Sequence, residues 1–215
     1  MIHSTNLARL LSSFQWRIRR LKSHCYRVRP YNLDQTSKII VAFACVETQN
    51  AWSNFVRAFY ISCIFEAKPC TSTRISHSVV APDLNAGIGI AVQMVRPYSQ
   101  PKSNGSWDRR DEPAWHDPNI LLRLSSKITC SHDSELQAAF SMGFTVFRDL
   151  PVFRNFFAHR NAATAAATAN IASSYGIPSS LSTPAILLSN PYGRFQPLLF
   201  EWMDELLFTA EYMCE

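Results

Sequence analysis

Leu7, Leu10, Leu11, Phe14, Ile18, Leu21, Cys25 and Val28 recur every three or four residues, while Arg9, Arg17, Arg20, His24 and Arg27 fall mostly on the other side. This is the stripe of an amphipathic helix, and Pro30 would stop it. Residues 34–67 predict a second, long helix, with Asp34 or Thr36 as N-cap. Ile39, Ile40, Phe43, Val46, Phe55, Val56, Phe59, Cys63 and Ile64 make it apolar around much of its circumference. One polar stripe interrupts this: Glu47, Asn50, Asn54 and Arg57. It reads either as the wet face or as the lining of a polar site.

Proline and glycine then break the periodicity over 68–118. A short helix or strand is expected around Ile88–Val95, and the rest reads as a long irregular insertion. Trp107, Arg109, Arg110, Trp115 and His116 interleave aromatic and basic groups there. Such a mixture suits base stacking and phosphate contact, or else the tryptophans pack back on the body. Helical patterns return at Pro118–Ile128, from about His132 to Arg148 with a possible interruption at Gly143, at about Asp149–Ser174 and at about Pro197–Cys214. Residues 177–197 read as a Pro/Ser/Gly-rich connector. Strand alternation is scarce. The expectation is all-α: one domain over 1–215, an up-and-down bundle of four or five main helices with an insertion at about 68–118.

Apolar residues make up 47% of the chain, enough for a substantial core. No run of about 18 apolar residues predicts a membrane span. Six cysteines, at 25, 45, 63, 70, 130 and 214, form no CxxC pair and no zinc spacing. Free thiols in a reducing cytoplasm, with no metal and no cofactor, are expected.

The net charge of +5 is unevenly spread. Residues 1–33 hold seven Lys/Arg and no acid; residues 201–215 hold five acids and no Lys/Arg. This favours an anionic partner at the basic end, or a dipolar surface or oligomer contact. The first thirty residues also have the composition of a mitochondrial transit peptide. A stripe held over 22 residues favours a folded helix instead.

The chemistry concentrates in Arg154-Asn155-Phe156-Phe157-Ala158-His159. An arginine can hold a phosphate through two parallel hydrogen bonds, and an imidazole can move protons near neutral pH. The bare Arg-x4–6-His spacing carries little weight, since Arg19/His24 and Arg110/His116 show it too. Arg154/His159 differs in lying in the strongest predicted helix, with an amide next to the arginine and apolar residues to anchor it. Arg154 could alternatively be an ion-pair partner of Asp149 or Glu135.

The string RNFFAHRN, Arg154 to Asn161, late in an all-helical chain, resembles the R-[polar]-x-x-x-H signature of HEPN domains. The resemblance implies a four-helix bundle core with extra helices. It also implies metal-independent RNA cleavage of the kind found in bacterial toxin–antitoxin and phage-defence systems. Arg154 and His159 would be the catalytic pair and Asn155 their polar support. The Asn50/Trp52 region would be the opposing helix. Some such proteins carry a tyrosine two residues after the histidine that a partner enzyme modifies; Asn161 stands there in this chain.

The chemistry is self-consistent. In RNA the 2′-OH is an internal nucleophile, so cleavage needs a proton carrier and a cation, and would leave a 2′,3′-cyclic phosphate. Positions five apart on a helix point about 140° away from each other. One chain therefore makes half a site, and a homodimer with a composite active site is expected. Arg160, Asn161, Arg17, Arg20, Arg109 and Arg110 are candidate RNA contacts. An antitoxin or other regulatory protein would be a further partner. The alternatives are an inactive HEPN-like module that binds RNA or nucleotides or only dimerises, and a helical protein whose Arg-rich start lies on a membrane surface.

Overall fold

The first helix starts where a side chain can cap it. The Asn6 amide oxygen accepts from the Ala8 N–H at 2.8 Å, and α1 runs Leu7–Cys25. Leu7, Leu10, Phe14, Ile18, Leu21 and Cys25 are all buried. The stripe visible in sequence is thus the packed face, each large side chain contributing about 1.5–3 kcal/mol by leaving water. The computed structural model describes residues 5–28, 33–71 and 73–215. Pro30, the predicted breaker, lies outside them.

The long helix α2, Gln35–Ile64, is capped by Asp34, whose carboxylate accepts from the Ser37 N–H at 2.7 Å. Its buried hydroxyls are satisfied within the helix. Thr48 donates to the Ala44 carbonyl and Ser62 to the Ala58 carbonyl, both at 2.7 Å. Seven further helices follow among the described residues: α3 (Leu84–Val95), α4 (Pro118–Lys127), α5 (Asp133–Phe140), α6 (Val146–His159), α7 (Ala162–Ser174), α8 (Thr183–Leu188) and α9 (Leu198–Cys214). Among the described residues the only extended pairing is an isolated bridge between Asn6 and Lys68. The protein is all-α. No helix among the described residues is long and apolar enough to cross a membrane.

The differences from expectation are local. Residues 84–95 form a helix, capped by Asp83, inside the irregular insertion. The interruption expected at Gly143 is present: this residue, at φ +68°, separates α5 from α6. The run expected from Asp149 to Ser174 is two helices, and the connector at 177–197 contains α8. Ile39 and Phe43, expected to be core, are 57% and 55% exposed.

The chain divides into two compact units. The first comprises the described residues up to Phe14, Trp52–Gly143 and Thr209–Glu215; the second comprises Gln15–Ala51 and Phe144–Phe208. In the first, the insertion is tied down by Glu112. This carboxylate, 5% exposed, accepts from Arg57 Nε at 2.5 Å and Nη2 at 2.9 Å, and from Trp115 Nε1 at 2.8 Å. Trp115 is buried against Tyr60, with ring centroids 5.4 Å apart. Trp107 lies so close to Gly89 that a Cβ there would sit 2.9 Å from its indole nitrogen. Both tryptophans of the insertion therefore pack on its own unit.

In the second unit, Lys22 of α1 meets Asp204 of α9 at 2.8 Å and stands 5.2 Å over the Phe200 ring. Part of the charge contrast between the two ends of the chain is thus spent inside the fold. Beneath α6, Asp149 is 1% exposed and accepts from Arg148 at 2.6 and 2.9 Å and from the Tyr175 hydroxyl at 2.7 Å. Trp202 Nε1 donates to the Tyr175 oxygen at 3.2 Å. Glu205 accepts from the Val146 N–H at 3.0 Å, which holds the start of α6.

Burial raises the Glu205 carboxyl above its ordinary value, against the Val146 hydrogen bond that lowers it. An acid with a raised folded pKa binds its proton more tightly in the folded state. The associated stability is present at low pH and is lost as pH climbs through the folded pKa. Glu205→Gln keeps a carbonyl for Val146 and removes the buried charge. We expect it to raise the melting temperature at pH 7, with the gain shrinking as the pH is lowered through the carboxylate range. Thermal melts of both proteins between pH 4 and 8 check this.

Candidate active site

Arg154, Asn155 and His159 all lie on α6, and His159 is its last residue. Arg160 ends the helix in the left-handed region, at φ +43° and ψ +50°, its N–H bonded to the Phe156 carbonyl at 2.7 Å. Asn161 then starts α7 by a reciprocal cap. Its side chain accepts from the Thr164 N–H at 2.9 Å, and the Thr164 hydroxyl accepts from the Asn161 N–H at 3.2 Å. The motif therefore sits at a corner between packed helices, not in the middle of one helix. Asn161, a candidate RNA contact, has a structural task as the N-cap of α7.

Asn155, His159 and Arg160 are exposed, and Arg154 is half-buried. Among the described residues, no hydrogen bond or ion pair engages their side chains. The ion-pair alternative for Arg154 is specifically filled by other groups: Asp149 is taken by Arg148 and Tyr175, and Glu135 by Ser134 and His132. Arg154 instead lies near Cys45 of α2. Burial drives that thiol far up and Cys25 adds to the effect, while the guanidinium partly offsets it. The side chains of Arg154 and His159 therefore differ in setting, one turned toward α2 and one displayed at the helix end. The structure does not join them into a single-chain site.

A cavity of about 230 Å³ adjoins the corner on another side of α6. Ile39, Ala42, Phe156 and Phe157 give it apolar walls, and Lys38 and Arg160 give it cations. Sequence reasoning did not assign Lys38. Ile39 and Lys38 come from the first turns of α2, over a hundred residues from the motif, and no local pattern connects them. Phe156 and Phe157, taken as core anchors, are only partly buried because they face this space.

The remaining candidates differ in availability. Arg17 is paired with Glu47 at 2.6 Å, and Glu47 also accepts from Asn50 at 2.9 Å. Arg20 is exposed and lies 5.2 Å over the Trp16 ring. Arg109 and Arg110 belong to the first unit, whereas the motif belongs to the second. Arg109 donates to Asn54 at 2.8 Å and lies 3.5 Å from Glu112, and Arg110 lies 3.7 Å from Asp108. The polar stripe of α2 is thus occupied by partners of its own: Glu47 with Arg17, Asn50 with Glu47, Asn54 with Arg109, Arg57 with Glu112. No family model, curated protein or solved structure matches the chain.

Arg160 occupies a conformation that disfavours any residue with a Cβ by about 1 kcal/mol. Glycine would relieve it. We expect Arg160→Gly to gain about 0.5–1 kcal/mol in a denaturant melt.

Proposed function

We propose that this chain is a HEPN-type endoribonuclease that cleaves RNA without a metal, working as a homodimer. The observation that carries the reading is the set of groups at the α6–α7 corner that the fold leaves unused. The side chains of Arg154, Asn155, His159 and Arg160 have no hydrogen-bond or ion-pair partner among the described residues, although each could find one in a packed protein. In the proposed reaction His159 takes the proton of the 2′-OH as that oxygen attacks the adjacent phosphorus. The P–O5′ bond breaks, the departing 5′-oxygen takes a proton from solvent while the protonated His159 returns its proton to solvent, and the products end in a 2′,3′-cyclic phosphate and a 5′-OH. Arg154 steadies the charge that builds on the phosphoryl oxygens. Asn155 lies four residues before His159, on its side of the helix, and can orient the imidazole or the phosphate.

The divergence of Arg154 and His159 makes the partner copy part of the proposal. Two facing corners would set the arginine of one protomer by the histidine of the other. Toxin or phage-defence activity, an antitoxin partner and a cytoplasmic setting are what the HEPN resemblance adds.

The test is incubation of the purified protein with a mixed RNA and with the same sequence as DNA, in EDTA. We expect RNA fragments ending in cyclic phosphate, no DNA cleavage, and activity that falls as salt rises. Cleavage that requires a divalent ion, or cuts DNA equally, would overturn the reading. RNA retention without cleavage would favour the binding module instead.

A further inference from the structure

The part of α1 that belongs to the second unit sorts its residues by side. Ile18, Leu21 and Cys25 share one side of the helix, and all three are buried. Arg17 and Lys22 stand on the two flanks, where α2 and α9 supply acids. Arg17 meets Glu47 at 2.6 Å, and Lys22 meets Asp204 at 2.8 Å. Trp16, Arg19, Arg20, Ser23 and His24 fall on the remaining arc, which at 3.6 residues per turn is about 140° wide. All five are exposed, as is Arg27 in the turn that follows the helix.

This outer ridge differs from the flanks in having no counter-charge. The α1 sequence contains no Asp or Glu, and among the described residues no carboxylate pairs with Arg19, Arg20 or Arg27. Trp16 adds a ring that the fold does not use. It is 62% exposed, and the Arg20 guanidinium lies 5.2 Å over it. An indole left in water forgoes the burial that favours aromatic side chains in a core. A bare ring beside unpaired guanidinium groups matches a polyanion that itself carries flat rings. Bases stack on the indole, and phosphates take the cations.

We propose that this ridge binds single-stranded nucleic acid, with Trp16 stacked on one base and Arg19, Arg20 and Arg27 holding phosphates. From Trp16 to His24 the helix rises about 12 Å, room for about three or four stacked nucleotides. Such contacts read no base edge and need no 2′-OH, so DNA and RNA strands bind alike and with little sequence preference. A duplex keeps its bases stacked on each other and offers Trp16 no face. Arg17, a candidate RNA contact from sequence, is left out of the ridge by its pair with Glu47.

An anionic membrane surface would meet the charges but not the shape. A helix lies in a bilayer interface by burying its apolar side in lipid, and here Ile18, Leu21 and Cys25 are already buried in the core. Tyr26, the other exposed aromatic, packs its ring 4.9 Å from Phe200. An acidic peptide would meet the cations and leave the indole idle. The ridge asks nothing of Arg154 or His159. A strand without a 2′-OH is therefore expected to bind there uncut, and the two readings can fail separately.

The experiment follows the fluorescence anisotropy of a labelled thymidine oligodeoxynucleotide as the full chain is added, over a series of salt concentrations. Trp16→Ala should weaken binding about 5- to 150-fold, and Trp16→Phe should restore most of the loss. Replacing Arg19, Arg20 and Arg27 together by Ala should reduce the slope of log K against log salt by about 2, at about 0.7 per lost phosphate contact. Binding of duplex DNA should not respond to Trp16→Ala. The comparison of Phe with Ala at Trp16 decides the matter even if the triple variant misfolds. No binding at low salt, or affinity that is the same with Ala as with Trp at position 16, would overturn the proposal. So would capture by phosphatidylserine vesicles with none by the oligonucleotide. RNA cleavage with an idle ridge sinks the ridge alone, and a working ridge without cleavage sinks the nuclease alone.

Discussion

Mixing two inactive variants should restore RNA cleavage. Arg154→Ala removes the proposed phosphate clamp and His159→Ala the proposed proton carrier. Each alone is expected to lose about 100- to 10,000-fold in rate, the usual worth of a positioned acid–base group or a charged donor aimed at the transition state. Neither should cost much stability, since neither side chain holds a hydrogen bond or ion pair among the described residues. In a composite site, each doubly mutated homodimer has no complete cleft. A heterodimer of the two variants has one cleft with both losses and one with neither. Subunit exchange at equal amounts should then yield about a quarter of the wild-type rate, since half the dimers are mixed and each holds one intact cleft of two. Single-turnover cleavage of a fluorescent RNA, with circular dichroism to check folding, measures this. No recovery after verified exchange sinks the composite site. Full activity of His159→Ala sinks the mechanism altogether.

The second large effect is on stability. Glu112→Ala is expected to cost about 3–5 kcal/mol, the usual penalty for breaking a buried ion pair from one side. The substitution strands the Arg57 guanidinium, whose side chain is 21% exposed, and leaves the Trp115 indole N–H without its acceptor. Arg57 also loses a two-point contact, at 2.5 and 2.9 Å, that a water cannot reproduce in the same geometry. Replacing both Arg57 and Glu112 by apolar residues should cost much less than Glu112→Ala alone. Urea melts of the three proteins check the order. Equal losses for the single and double replacements would show that Glu112 stabilises the insertion by some other route.

The helices with one apolar stripe were legible from sequence. Leu7 to Cys25 buries at every predicted position except Leu11, which is half-buried, and Asp34 caps α2 as expected. The reason is that burial of a periodic face is written locally. What was not legible depends on residues far apart in the chain. Nothing near Glu112 announces Arg57. The hexapeptide Thr183–Leu188 reads as connector because Pro184 and its serine-rich surroundings mask a short helix that is wholly buried. The alanines of α7 carry high helix propensity straight through from α6, so propensity predicts one helix. The candidate site was legible as residues and as a spacing. Its exposure, its place at a helix end, and the cavity shared with Lys38 and Ile39 required the fold.

The left-handed Arg160 and the reciprocal cap behind it have a consequence for how His159 comes to be presented. The intrinsic preference of residues 146–174 is a single rod, in which His159 would be one more interior helical position. The turn converts it into a terminus, and it does so with one unfavourable backbone angle and three short-range hydrogen bonds between Asn161 and Thr164. Presentation of the imidazole is therefore conditional. It belongs to the tertiary structure and can be switched off from Thr164, a residue with no proposed role in the chemistry.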